Sequence, residues 1–184
     1  MAYKKFDIDD VLDKAVTLFW RYGFTTTSMQ QIVQATGLKP GSIYHEFGNK
    51  EALFKRALSR YTEQSIAATT ATLTTQESVL EGIKTILRML TKEAKNQEYC
   101  GCFLIKSQLE LSASNDEINK YCIEQLRRIE ANYCEFLNNV FDAKTASMYA
   151  QQLMLVIFGI RVYAYQYGRE QALNETYQSL LPWL

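Results

Sequence analysis

Ser42, Tyr44 and His45 are the residues whose types and spacing could do chemistry. They lie in residues 37–50, Gly-Leu-Lys-Pro-Gly-Ser-Ile-Tyr-His-Glu-Phe-Gly-Asn-Lys, a stretch too short, polar and interrupted for a core helix. Ile43 and Phe47 stand four apart, so a helix of one to two turns would pin one face and turn Ser42, Tyr44 and His45 outward. A hydroxyl, a phenol and an imidazole on a short helix held from behind suit hydrogen bonding to base edges and phosphates in a DNA major groove. They do not suit catalysis, which needs a convergent acid, base or nucleophile set. The chain has one histidine, no glycine-rich phosphate loop and no metal-ligand spacing. No catalytic residue, metal or cofactor is therefore expected.

The elements that must position these groups read as helices almost end to end. Ile8, Val11, Leu12, Ala15, Val16 and Phe19 make one apolar stripe, with Asp7 as its start and Gly23 as its stop. Met29, Ile32 and Val33 begin a second, short helix. Thr27 with Gln30 and Ser28 with Gln31 both fit a capping box there. Thr36-Gly37-Leu38-Lys39 makes a turn, and Pro40 suits the first turn of a third helix. Gly48-Asn49 ends that helix and caps a fourth, carried by Leu53, Phe54, Ala57, Leu58 and Tyr61. Ala67 to Thr75, rich in Ala and Thr, is expected to fray, with a domain boundary nearby.

Five more helices follow. Leu80, Ile83, Leu87 and Leu90 mark the fifth, and Phe103 to Leu111 the sixth. Asn115-Asp116 can cap a seventh that carries Ile118, Cys122, Ile129, Phe136 and Val140. Met148 to Tyr167 form an apolar eighth, Gly168 breaks it, and Leu173, Tyr177, Leu180 and Leu181 line a ninth. The expected fold is all-α with about nine helices.

Composition fits a globular protein rather than a disordered one. The chain has 184 residues, is 47% hydrophobic and 12% aromatic, and carries zero formal net charge. Residues 1–65 hold nine Lys/Arg against seven Asp/Glu, a small positive excess that suits a nucleic-acid partner. No signal peptide is legible, and the longest apolar run, Leu153 to Ile160, is too short to span a bilayer. Four cysteines without a secretory signal suggest reduced thiols and a cytoplasmic location.

Three short helices in about 45 residues, the second and third joined by a glycine-containing turn, make a helix-turn-helix unit. The residues then carry a specific resemblance. Ala15, Leu18-Phe19, Gly23-Phe24, Thr27-Ser28-Met29, Ile32, Ala35-Thr36-Gly37, Gly41-Ser42-Ile43-Tyr44, Phe47, Asn49-Lys50 and Leu53-Phe54 fall in order and without gaps. Residues 15–54 thus resemble the N-terminal domain of the TetR family of transcriptional regulators. The resemblance implies a three-helix DNA-binding head over residues 1–65, with the helix-turn-helix at about 28–47. It also implies a helical ligand-binding and dimerisation bundle over 66–184. The implied activity is that of a homodimeric repressor, released from a palindromic double-stranded operator by a small-molecule effector.

On this resemblance the expected DNA contacts are Thr27, Ser28, Lys39, Gly41, Ser42, Tyr44, His45 and Lys50. Lys4 and Lys5 could add a basic arm. Glu46 departs from the commoner family pattern of His, Tyr or a small residue, and a carboxylate there would repel phosphate. The last two long helices are expected to pair across a two-fold axis through Leu153, Ile157, Ile160, Leu173 and Leu180.

Cys100-Gly101-Cys102-Phe103, with Glu110 beyond, resembles a pattern in a family branch that includes sensors of reactive electrophiles. A thiol at a helix N-terminus is activated, so Cys100, Cys102 and Phe103 form a candidate sensor site. The alternative readings are such a thiol sensor, or a helical interaction module without operator binding. Tyr99, Tyr121, Tyr133, Tyr149, Tyr163, Tyr165, Tyr167 and Tyr177 could line an apolar pocket for an effector or sit in the core.

Overall fold

A computed structural model describes residues 6–93, 100–114, 116–166 and 170–184. The expectations for Lys4, Lys5, Tyr99, Asn115, Tyr167 and Gly168 lie outside the described residues. Among the described residues the fold is all-α, with nine helices. They are α1 (Ile8–Tyr22), α2 (Met29–Thr36), α3 (Pro40–Phe47), α4 (Lys50–Thr75), α5 (Val79–Glu93), α6 (Phe103–Leu111), α7 (Asp116–Leu137), α8 (Ala143–Tyr163) and α9 (Glu170–Leu180). No helix among them is long and apolar enough to cross a membrane.

Helix ends are set by local chemistry. The Asp7 carboxylate accepts from the amides of Asp9 and Asp10 and starts α1. At the C-terminus of α1, Gly23 takes φ +84° and its N–H closes on Phe19 O. Of the two capping boxes the sequence allows, the structure forms Ser28–Gln31. Gln31 N–H donates to Ser28 Oγ, and Ser28 N–H donates to Gln31 Oε1 at 2.7 Å. Asn49 Oδ1 accepts from Ala52 N–H at 2.7 Å and caps α4.

Two expectations are corrected. The Ala/Thr run does not fray; α4 continues to Thr75. Alanine is the best helix former, and the burial of Leu73 holds the segment by packing, while the hydroxyls of Thr72, Thr74 and Thr75 donate to carbonyls four residues back. The seventh helix stops at Leu137, before Val140, where Asn138 and Asn139 turn the chain. Asp142 then caps α8, which starts five residues before Met148.

The chain forms two compact units. Residues up to Glu63 pack with Cys102–Gln125, and Gln64–Gly101 pack with Leu126–Leu184. The first unit therefore holds the three short helices, the start of α4, all of α6 and the first part of α7. Its core centres on Phe19, Ile32, Ile43, Leu53, Phe54 and Phe103, each under 2% exposed. Arg60 forks onto Asp13 with bonds of 2.9 and 3.0 Å, and so ties α4 to α1. The second unit is a bundle of α5, α8, α9 and parts of α4 and α7. Leu73, Ile83, Leu87, Tyr133, Leu137 and Leu153 lie at its centre.

Candidate nucleic-acid interface

The α2–turn–α3 arrangement follows from one glycine and two anchors. Gly37 takes φ +72°, the left-handed conformation that ends α2, and its N–H closes on Val33 O at 2.9 Å. Pro40 begins α3 without needing a donor. Ile43 is fully buried and Phe47 is 5% exposed, so α3 is pinned by those two side chains. The opposite face carries Tyr44, 49% exposed, and the exposed His45. Ser42 is half-buried, and Lys39 is exposed just before the helix. Gly41 has no neighbour within 4 Å of the place a Cβ would occupy, so backbone is open at this end of α3.

The structure corrects the expectation for Thr27. Its side chain is buried, and its hydroxyl donates to Gly23 O at 2.6 Å. It closes the α1–α2 loop rather than facing a phosphate. Ser28 is exposed but its hydroxyl is engaged as the α2 cap. Lys50 is turned onto the same loop. Its Nζ donates to Thr27 O at 2.8 Å and lies 4.3 Å from the centre of the Phe24 ring. Burial pulls the Lys50 ammonium below the usual lysine range, against the opposing attraction of Glu110.

Glu46 has a structural explanation that periodicity could have supplied. Position 46 sits three after Ile43 and beside Phe47, on the inner flank of α3. Its carboxylate accepts from Arg56 at 3.2 Å, and the same guanidinium lies 4.6 Å over the Phe47 ring. The acid is thus paired with α4 rather than presented beside Tyr44.

The sensor expectation divides. Phe103 is 1% exposed and meets Phe54 and Tyr61 edge-on at 5.6 and 5.7 Å. It is a core residue, which corrects its place in a sensor site. Cys102 is the half-buried N-cap residue of α6, and the Tyr61 hydroxyl donates to its Sγ at 3.7 Å. Cys100 is half-buried and belongs to the other unit. Cys122 is fully buried, and burial, with a smaller contribution from Cys102, pushes its thiol up to about 12. Among the described residues no cluster of three His, Cys, Asp or Glu could hold a metal.

The expected pairing surface is also redrawn. Leu153 and Ile160 are 1% and 3% exposed and belong to the core of the second unit. Ile157 and Leu173 are half-buried, and of the five expected residues Leu180 alone is exposed, at 58%. The outward apolar face of α8 is instead Leu155, 71% exposed, with Val162 and Tyr163 a further two turns along. A groove of about 540 Å³ runs between α8 and α9 beside Leu155, Gly159, Tyr163, Leu173, Thr176 and Leu180.

Glu110, which the sequence offered only as the far end of the Cys100–Phe103 pattern, has a different place in the structure. Its carboxylate accepts the backbone N–H groups of Phe24 and Thr25, some 85 residues away in the chain. No local pattern announces such a contact.

An all-helical chain with a three-helix head, a short outward-facing third helix and a separate helical bundle defines a helix-turn-helix regulator class of fold. A family profile described as bacterial regulatory proteins, tetR family, matches residues 11–57. The HTH-type transcriptional repressor ComR of Escherichia coli K12 is 37% identical over 120 residues, covering 62% of this chain and 56% of that protein. The HTH-type transcriptional regulator YezE of Bacillus subtilis 168 is 30% identical over 128 residues, covering 69% of this chain and 66% of that protein. The chain therefore spans between about half and two thirds of the length of these relatives. The solved structure of the TetR family regulator CifR, a cysteine mutant complexed with 26-bp operator DNA, aligns with a TM-score of 0.74. It is 24% identical and covers 99% of this chain and 98% of that one. The chain belongs to the TetR family.

Proposed function

We propose that the protein is a homodimeric transcriptional repressor that binds a roughly palindromic double-stranded operator and is released by a small-molecule effector. The observation that carries this reading is α3. Ile43 and Phe47 hold it from behind, and Tyr44 and His45 face outward beside the exposed Lys39. In this reading Tyr44, His45 and Ser42 meet base edges or phosphate, and Lys39 and the open backbone at Gly41 meet phosphate. A two-fold dimer would set the two heads about 34–36 Å apart, one DNA turn, or further. The two relatives are described as an HTH-type transcriptional repressor and an HTH-type transcriptional regulator, which supports this reading.

Tyr44→Ala tests the reading. Because half of this side chain is exposed, the variant should keep wild-type helix content and melting temperature. It should bind a duplex selected by the wild type about tenfold to a hundredfold more weakly, the worth of one good base or phosphate contact. Wild-type binding should also weaken steeply between low and moderate salt. Equal affinity of the two proteins in a mobility-shift titration would remove α3 as the reading helix.

The position of Cys102 supports a second reading of the effector as an oxidant or electrophile. The residue is half-buried at the α6 N-cap, its thiol makes no cap bond, and the Tyr61 hydroxyl lies against it. Cys102→Ser should bind the duplex normally yet resist release by the thiol oxidant diamide. Wild-type release of that variant would eliminate this thiol as a sensor.

A further inference from the structure

We propose that Glu110 is a positioning residue for DNA binding: its carboxylate grips the α1–α2 loop and so sets the pose of α2 and α3. The proposal rests on the DNA-binding reading above. Phe24 N–H donates to Glu110 Oε2 at 3.1 Å, and Thr25 N–H donates to Oε1 at 2.7 Å. Two consecutive backbone amides thus meet the two oxygens of one carboxylate, a charge-assisted grip on a segment that belongs to no helix. The approach is close. A Cβ at Gly23 would lie 2.6 Å from Oε2, and Gly23 also holds φ +84°. The backbone conformation calls for glycine there, and a Cβ would displace the carboxylate.

The grip is one of three from α4 and α6 onto residues 20–27, the end of α1 and the loop after it. One turn before Glu110 on α6, Lys106 Nζ donates to Trp20 O, in the last turn of α1, at 2.7 Å. From the start of α4, Lys50 Nζ donates to Thr27 O at 2.8 Å and covers the Phe24 ring. Trp20, Phe24, Thr25 and Thr27 are therefore each held by a charged side chain from α4 or α6. Ser28, the next residue, caps α2. The loop is thus held at several points just before the helix-turn-helix begins, and α2 and α3 inherit its pose.

Glu110 itself is exposed, so the core does not depend on it. That separates positioning from folding. A loosened loop lowers the fraction of heads competent to dock, and apparent affinity falls by the same factor. The sign of the effect is diagnostic. Removing an acid close to DNA should strengthen binding through electrostatics alone, whereas loss of the grip weakens it.

The experiment uses full-length wild type, Glu110→Ala and Glu110→Gln, with a duplex selected by the wild type from a randomised library. Glu110→Ala should keep the wild-type melting temperature to within a few degrees. It should bind the duplex on the order of tenfold more weakly, and the Phe24 and Thr25 amides should exchange with solvent about tenfold faster while those inside α1 do not change. Glu110→Gln keeps one acceptor oxygen and should fall between the two. Wild-type or tighter affinity in Glu110→Ala overturns the proposal, whether or not the two amides exchange faster. Unchanged exchange overturns it as well. Selection of no duplex by the wild type overturns the DNA-binding reading and this proposal with it, while the exchange data still report whether the grip exists.

Discussion

Phe54→Ala should destabilise the first unit by about 3–5 kcal/mol, the cost of deleting a large buried ring that its surroundings cannot refill. Phe54 is fully buried. Its ring meets Phe19 of α1 edge-on at 4.9 Å, Phe24 of the α1–α2 loop at 4.8 Å and Phe103 of α6 edge-on at 5.6 Å. One side chain of α4 therefore joins three other segments, and edge-on aromatic pairs add stabilisation beyond area burial. Loss of several kcal/mol is a large part of the stability of a domain this size. Urea unfolding followed by the near-ultraviolet signal of the aromatic residues should show the midpoint falling sharply with little change in slope. Phe54→Leu, which keeps most of the volume, should lose far less. A loss below about 1 kcal/mol in Phe54→Ala would mean that the ring cluster does not hold α6 to the head.

Leu155→Asp should convert the proposed dimer to monomers, raising its dissociation constant by about a hundredfold or more, because a carboxylate would be buried without a partner at the centre of the interface. Leu155 is 71% exposed, so the folded protomer should tolerate the change. Its neighbours along the α8–α9 groove, Tyr163 and Leu180, are also exposed, at 50% and 58%. Large apolar groups clustered on one face in this way mark an interaction surface. Sedimentation equilibrium reads the assembly directly. Wild type should sediment as a dimer and Leu155→Asp as a monomer of unchanged helix content, with operator binding lost alongside because a single head contacts half a site. A variant that remains dimeric would move the interface to another face.

The two results would bear on features that differ in how visible they were beforehand. The stripe of Val11, Leu12, Ala15, Val16 and Phe19 in α1, all buried, was legible because helical periodicity records which face is apolar. Asp7, Gly23, Gly37 and Pro40 marked helix ends for a related reason. Each supplies a cap, a left-handed φ or a missing donor that the helix end itself requires. The anchors of α3, Ile43 and Phe47, followed from their spacing alone.

The failures are equally physical. Leu153 and Ile160 read as an interface because apolarity does not distinguish a core from a surface between subunits. α8 is apolar around much of its circumference, and only packing in the bundle decides that Leu155 faces out. Thr27 read as a phosphate contact because a hydroxyl can donate outward or inward, and the Gly23 carbonyl captures it. The Ala/Thr segment read as frayed because the modest propensity of threonine leaves out the packing that holds the helix, where Leu73 is buried in the core of the second unit.

What the sequence by itself determined is local and periodic: the all-helical class, the helix-turn-helix with its short third helix, and the outward placing of Tyr44 and His45, with Ser42 half-buried. These rest on interactions spanning four residues or fewer, which a linear pattern records. Tertiary structure alone decided the long-range charge placements. Periodicity sets Glu46 on the inner flank of α3, but only the fold brings Arg56 to it; Lys50 is turned onto Thr27, and Glu110 holds the amides of Phe24 and Thr25. A long charged side chain reaches whichever partner the fold brings near, and that partner is set by the packing of helices distant in the chain, not by neighbours in sequence.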